Sequence, residues 1–532
     1  MVTKEQILDH IWTNRFVSES VLTRNIAELR RLLAEATGDA HVIETIPKRG
    51  YRLIASVETC PRETPPRLAV LLFDNLHRDP EQEYFAEGVS DALITELGNI
   101  ASLRVISRQS VLHFKGSNRS IPEIARELHV DAVVEGSVLH AGSRVRITAQ
   151  LIQAQPERHL WAQSYECELK DVLEIQARVA RAIAESVQAA LTPDDVARLS
   201  RPRVTNPKAL LAYLKARYHA VRWTQDDVQK ALHHLHEAMQ LDPAYAPPYE
   251  LMAVSLGVLG FWGHLPIGIA YPEARTAARR ALELDGSSAD ALATLGFVKW
   301  HLDWDLAGAE RDLRRATEIN ASSEFAHMAY GKFLLVARGA RAGAHEQARV
   351  ALSLDPLSLS TNFSFAWFLL FAGEYEEAVA HARKTLSMFP DSVQAYYVLG
   401  SAELARSNFR DAVAAFETAA AHARDNTSLS YWANALGRAG QEEAARAILG
   451  ELRSLREREF VPEFSFAVAY AGMGDVEAAF DALERCLVER DCHLFWLDFV
   501  PFFDAMRGDP RFADLQARIL GATDAHPLAL PG

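Results

Sequence analysis

From about residue 240 the chain repeats itself, and that constrains its fold more than any other feature. Leu241-Asp242-Pro243, Leu284-Asp285, Ile319-Asn320, Leu354-Asp355-Pro356 and Phe389-Pro390 each read as a helix end. Set on the acid or amide, the first four lie 43, 35 and 35 residues apart, and Pro356 to Pro390 is 34. One such unit cannot bury its own apolar face, so copies must stack into a continuous array. The 43-residue interval implies an insertion, placed at GFWGHLPIGIAYP, residues 260–272.

Within each period, small residues sit where two helices must approach closely. In the copy AYYVLGSAELARSNFRDAVAAFETAA, Gly400 and Ala412 are the small contacts, while Leu399, Leu404, Phe409 and Phe416 fill the gaps. Glu374 to Ala378 in the preceding copy matches Asn408 to Ala412, and Gly373 and Gly440 fall at inter-helix turns. This pattern resembles the tetratricopeptide repeat over about residues 206–490, in seven or eight copies. The segment Asp498 to Phe512 resembles the cap that closes such arrays, which a terminal repeat needs because it has no neighbour. Trp300, Trp304, Trp367, Tyr396 and Tyr397 read as core aromatics, with a binding groove as the other reading.

At the other end of the chain, Ile7, Leu8, Ile11 and Trp12 share one face of a helix expected over 3–13, with Thr3 as its N-cap. A second helix, capped by Ser18 or Ser20, runs to about Ala36 with Leu22, Ile26, Leu29 and Leu33 inward. Thr23, Arg24, Asn25, Arg30 and Arg31 lie on its opposite face. Val42 to Ile46 and Tyr51 to Ala55 are strand-like around the basic tip Pro47-Lys48-Arg49-Gly50. Helix, turn, helix and basic hairpin is the order of a winged helix, and VSESVLTRNIAELRRLL and VIETIPKRGYRLIA closely resemble the OmpR-type family over residues 2–55. The resemblance implies that Thr23, Arg24 and Asn25 face the major groove. By the same resemblance Arg30, Arg31, Lys48 and Arg49 meet the phosphate backbone, with Arg52 beside them on the wing. Members of that family carry a small antiparallel sheet and a further helix ahead of the point matching Met1. The head is therefore expected to be a partial winged helix, its true start upstream or its DNA module crippled.

Between head and array, residues 67–192 alternate strand and helix signals. Leu68 to Phe73 reads as a buried strand, Tyr84 to Ile100 as a helix, Leu103 to Ser107 as a strand, and Ile121 to His129 as a short helix with Pro122 in its first turn. Ala132 to Leu139 and Arg144 to Gln153 form a hairpin about His140 to Ser143; a strand at 158–165 and a helix at 171–191 complete an α+β domain. Phe73-Asp74-Asn75, Tyr84 to Gly88, Val105 to Arg108 and Glu135 to Val138 resemble the TolB N-terminal-like domain, which implies an interaction or assembly role. Gly88 and Gly136 read as packing and turn residues.

The expected organisation is multidomain. A partial winged helix-turn-helix spans 1–57 and a Pro-rich linker 58–66. An α+β middle domain covers 67–192, with a second linker at 193–208. An all-α tetratricopeptide solenoid spans 209–490, and a cap and tail 491–532. A net charge of −14 argues against a chain coated along its length by nucleic acid, but not against one basic module. The four cysteines Cys60, Cys167, Cys486 and Cys492 form no C-x-x-C pair, which fits a reducing compartment. The N-terminus is not a signal peptide, and no apolar run reaches membrane-helix length, so a cytoplasmic location is expected. Phosphate loops, nucleophile elbows and H-E-x-x-H helices are missing, and His233, His234 and His236 read as a solvated surface. No cofactor, metal or catalytic residue is expected, although domains like the middle one also occur in proteins linked to nucleotide cyclases.

Two functions follow. In the first, the head binds promoter double-stranded DNA and the array binds a protein, peptide or ligand signal. In the second, the chain is a cytosolic tetratricopeptide adaptor with a vestigial, non-binding head. No membrane partner is expected, and a homodimer is open to either.

Overall fold

The computed structural model describes residues 2–3, 19–37, 42–47, 49–54, 65–77, 83–189, 191–200, 205–220 and 225–521. The chain divides into two units, Met1–Thr64 and Pro65–Gly532.

In the first unit, β1 (Val2–Thr3), α1 (Glu19–Thr37), β2 (Ile43–Ile46) and β3 (Gly50–Leu53) are described. The sheet runs β1-β3-β2, antiparallel throughout, with Thr3 opposite Gly50 and Glu44 opposite Arg52. Thr3 thus ends a strand. The helix expected to follow it, with Ile7, Ile11 and Trp12, lies outside the described residues, as do Lys48 and the 58–64 part of the first linker. Leu22, Ile43 and Tyr51 form a small core with Ile26 packed on it. Leu29 was expected inside but is exposed, because the strands span only two to four residues and leave that turn of α1 uncovered.

The second unit opens with β4 (Arg67–Val70), β5 (Asp74–Asn75), α2 (Glu83–Gly98), β6 (Arg104–Val105), α3 (Arg108–Leu112), α4 (Ile121–Leu128), β7 (Ala132–Ala141), β8 (Arg144–Ala154), β9 (Glu157–Glu168) and α5 (Val172–Ser186). The sheet order is β6-β4-β7-β8-β9, with β5 also on β7; β4 is parallel to β6 and β7, and β7-β8-β9 is an antiparallel meander. On β8 the residues Val145, Ile147, Ala149 and Leu151 are buried, so the alternation read from sequence sets the face. Two boundaries move. The strand expected at 158–165 spans Glu157–Glu168, and the helix expected to reach 191 stops at Ser186, with Gln188 in a left-handed conformation.

The second linker is not one throughout. Thr192 caps α6 (Pro193–Leu199) by accepting the Asp195 N–H at 3.1 Å, and Leu199 is buried against the array. Proline there is a helix N1 residue and not a breaker.

Eight helix pairs follow among the described residues: α7 (Pro207–Ala220) with α8 (Gln225–Leu241), α9 (Ala246–Phe261) with α10 (Ile267–Leu284), α11 (Ala289–Val298) with α12 (Leu306–Ile319), α13 (Glu324–Arg338) with α14 (Arg341–Leu354), α15 (Leu359–Phe371) with α16 (Tyr375–Met388), α17 (Val393–Ala405) with α18 (Phe409–His422), α19 (Asn426–Arg438) with α20 (Glu442–Arg456), and α21 (Glu463–Gly472) with α22 (Val476–Glu489). Ser323, Ser358 and Ser392 cap the first helices of their pairs through side-chain hydroxyls. At Gly400 a Cβ would stand 2.5 Å from the Phe416 ring, so only glycine lets the two helices close. The insertion is spread over the second pair, which has longer helices on both sides of residues 262–266.

Trp300, Trp304, Trp367 and Tyr397 are core, as their spacing suggested. The end of the chain does more than cover the last pair. Short 3-10 helices at Cys492–Trp496 and Pro501–Met506 precede α23 (Pro510–Gly521). Trp496 packs on Phe261 at 5.0 Å and Phe371 at 5.1 Å, and Phe495 lies 5.5 Å from Trp304. Phe502 meets Tyr431 at 4.3 Å. This segment therefore runs back across the second, third and fifth to seventh pairs.

Candidate functional site

In the head, α1 is held by more than its apolar face. Arg30 donates from Nε to the Ile43 carbonyl at 3.0 Å and from Nη2 to Thr45 Oγ1 at 2.7 Å, fastening the helix to β2. Arg52 pairs with Glu44 across the β2-β3 ladder at 2.6 Å, and Arg31 pairs with Glu28 at 3.1 Å. These cations are internally engaged. Thr23, Arg24 and Asn25 form a continuous exposed edge one turn along α1, and Arg49 is exposed at the hairpin turn, where its N–H donates to the Ile46 carbonyl. Arg30 was expected on the solvent face; it is half-buried because its guanidinium satisfies the carbonyl of Ile43.

The second unit contains a joint that the sequence did not reveal. Glu83, Glu87 and Asp91 recur at i, i+4 and i+8 on α2, and each meets a cation from another element. Lys115 reaches Glu83 at 2.7 Å and Glu87 at 2.5 Å, Arg108 reaches Glu87 at 2.5 Å, and Arg217 of α7 pairs with Asp91. Farther along α2, Arg198 of α6 meets Glu96 at 2.9 Å. Inter-repeat turns complete the joint. Ser110 donates its N–H and hydroxyl to Asp355 at 3.1 and 2.7 Å, and the Ser107 N–H donates to the Leu354 carbonyl at 2.8 Å. Val105 N–H donates to Ser322 Oγ at 3.1 Å, and Arg67 Nη2 to the Ser353 carbonyl at 2.7 Å. Gly88 lets α2 close on α7, since any Cβ there would collide with the Leu214 side chain.

Between this joint and the repeats lies a cavity of about 1700 Å3. The first helices of six pairs, α9, α11, α13, α15, α17 and α19, contribute to its wall, and Trp496 of the returning segment lines it too. Burial is the main force on its ionisable groups. It pushes the Glu250 carboxyl up to about 7, helped by neighbouring Asp290, whose own carboxyl is raised by burial. Glu324 stands well above the usual carboxylate range for the same reason, with Asp355 and Asp290 adding to it. Lys332 is pushed down to about 8 by burial. No sequence signal marks these groups, because each occupies an ordinary polar position of an amphipathic helix.

Two other clusters exist among the described residues. His233, His234 and Glu237 bring ligand atoms together on α8, as do Asp491, Cys492 and His493. His234 is half-buried and 3.1 Å from Glu237, so that part of the histidine cluster is less solvated than its spacing implied. His493 Nδ1 is satisfied by Asp491 at 2.8 Å. No helix among the described residues is long and apolar enough to cross a membrane.

Residues 1–53 match the family described as "Transcriptional regulatory protein, C terminal". Over 243 residues, 45% of this chain and 40% of the relative, the sequence is 32% identical to "Putative adenylate cyclase 3" of Rhizobium meliloti (strain 1021). Over 396 residues, 73% of this chain and 63% of the relative, it is 22% identical to "Transcriptional regulator HilA" of Salmonella typhimurium. The chain thus spans less than two thirds of the length of either relative. Among solved structures, the APC/C hetero-tetramer Cut9-Hcn1 matches at 14% identity with a TM-score of 0.40, covering 65% of this chain and 63% of that one. The chain carries a partial winged helix similar to the C-terminal domain of transcriptional regulatory proteins, then an α+β domain, then tetratricopeptide-type helix pairs.

Proposed function

We propose that the protein is a DNA-binding transcriptional regulator acting in the cytoplasm, whose repeat unit takes up the controlling signal and catalyses nothing. The exposed edge Thr23-Arg24-Asn25, on a helix fixed to its sheet by Arg30, is the observation that carries this reading. Thr23, Arg24 and Asn25 reach base edges, and Arg31, Lys48 and Arg49 meet phosphates. Arg30 and Arg52 hold the element that presents them. The domain limits stand as 1–57, 67–192 and 209–490, with α6 and the start of α7 joined to the last two.

The test is binding of promoter-length double-stranded DNA followed by anisotropy across a salt series. Affinity should fall steeply with salt, and Arg24→Glu with Arg49→Glu should abolish specific binding and flatten the log–log slope by about 2. DNA binding that is absent, or unchanged in the double variant, refutes the reading and leaves an adaptor.

A further inference from the structure

The cavity beside the repeats has two chemically opposite ends. Helix α13 displays them on one stripe, because Glu324, Met328 and Lys332 recur at i, i+4 and i+8 and all line the cavity. At 1.5 Å per residue, the carboxyl-bearing and amine-bearing positions stand about 12 Å apart along the axis.

At the Glu324 end, Glu250 of α9 and Asp290 of α11 join the wall. Ser288 donates to Glu250 at 2.6 Å and Ser323 to Asp290 at 2.7 Å, which satisfies hydrogen bonds but not charge. The cation whose field reaches both is Arg217, already paired with Asp91. Glu324 has no ion-pair partner among the described residues.

At the other end, Lys332 has no ion pair or hydrogen bond among the described residues, and burial alone lowers its basicity. Beside it, the Trp300 indole Nε1 and the His301 Nε2 are buried, line the same cavity and lack partners. His301 is held neutral by burial, at about 3, and gives its Nδ1 proton to the Phe297 carbonyl at 3.0 Å, so its Nε2 is a bare acceptor. This end therefore offers one ammonium, one N–H donor and one acceptor, inside walls supplied by Phe297, Phe363 and Trp496. Unpaired polar groups at this depth are costly unless a ligand completes them.

We propose that the cavity takes a short oligopeptide by both free ends, its N-terminal ammonium among Glu250, Asp290 and Glu324 and its C-terminal carboxylate at Lys332. An extended chain covers about 3.3–3.6 Å per residue, so a 12 Å span selects three or four residues. The carboxylate takes the Lys332 ammonium and the Trp300 N–H, and Met328 and Phe297 face the middle of the peptide without selecting its side chains. The proposal rests on the repeat unit being the signal-binding part of the regulator.

Calorimetric titration of the full chain with tetraalanine, its N-acetyl form and its C-terminal amide tests this. Tetraalanine should bind, and blocking either end should weaken binding at least tenfold. Lys332→Met should weaken tetraalanine and erase the difference between acid and amide, while Glu324→Gln should narrow the difference between free and acetylated peptide; circular dichroism checks the folding of both. No binding of tetraalanine, or equal binding of free and blocked peptides by the unaltered chain, overturns the proposal. DNA affinity measured on the same preparation separates the two readings. Peptide failure with DNA binding intact removes only the ligand, and loss of DNA binding alone removes the regulator.

Discussion

Arg217→Met tests whether the middle domain and the repeats are one thermodynamic body. Arg217 is 28% exposed and Asp91, its partner, 4%. Burial opposes the charge of Arg217, but Asp91, the Tyr213 hydroxyl and Glu250 more than offset this and hold the guanidinium above its ordinary basicity. Removing it strands a buried carboxylate whose other cation, Arg108 Nε, stands 3.9 Å away. Breaking a buried pair from one side costs about 3–5 kcal/mol. The partial exposure of Arg217 and the presence of Arg108 reduce that to about 2–3 kcal/mol. Asp91→Leu should cost a similar amount by stranding Arg217. The double variant, with both charges gone and similar volume kept, should lie within about 1 kcal/mol of the parent. Urea unfolding measures the three differences, and hydrogen exchange in α2 and α7 locates them, since an array need not unfold in one step. If the two single effects simply add, with coupling below about 0.5 kcal/mol, the pair does not join the parts.

Three further outcomes follow from the same geometry. Gly88→Val should destabilise by about 1–3 kcal/mol through overpacking against Leu214, read by urea midpoint. Phe502→Ala should cost about 3–5 kcal/mol and deprotect α17 and α19 in hydrogen exchange, since the ring sits on Tyr431 and Phe416; Val488→Ser, on an exposed site, should cost almost nothing. The Glu250 carboxyl titrates higher folded, at about 7, than unfolded, so the folded state holds more protons between about pH 4.5 and 7. Its contribution is therefore full at low pH and is lost as pH rises through that window. Glu250→Gln should flatten the fall in melting temperature between pH 5 and pH 8.

Periodic signals were legible and single-residue tertiary roles were not. The helix expected at Tyr84 to Ile100 is α2, and the hairpin about His140 to Ser143 stands, because alternation and 3.6-residue spacing are local properties. The repeat ends gave the pairs for the same reason. Arg30 and Arg24 look alike on a helical wheel, yet one holds a carbonyl of β2 and the other faces outward; only the neighbouring strand decides that. The segment after Asp491 reads as a cap because its aromatics are dense, but its partners Phe261, Trp304 and Phe371 lie in distant repeats that no local pattern names. The stripe of acids lining the cavity is invisible for a similar reason. Glu250, Asp290 and Glu324 fall on three helices, and burial arises only when those stack.

The bond from Ser110 to Asp355 spans 245 positions of chain. A ribosome adding about 5–20 residues each second needs on the order of 10–50 s between the two. During that interval the middle domain has emerged with its own sheet formed, while the acidic row of α2 and the turn at Ser107 face water or a chaperone. The joint is thus a late step of synthesis, and a ribosome stalled before residue 355 would release a domain whose docking face is still open.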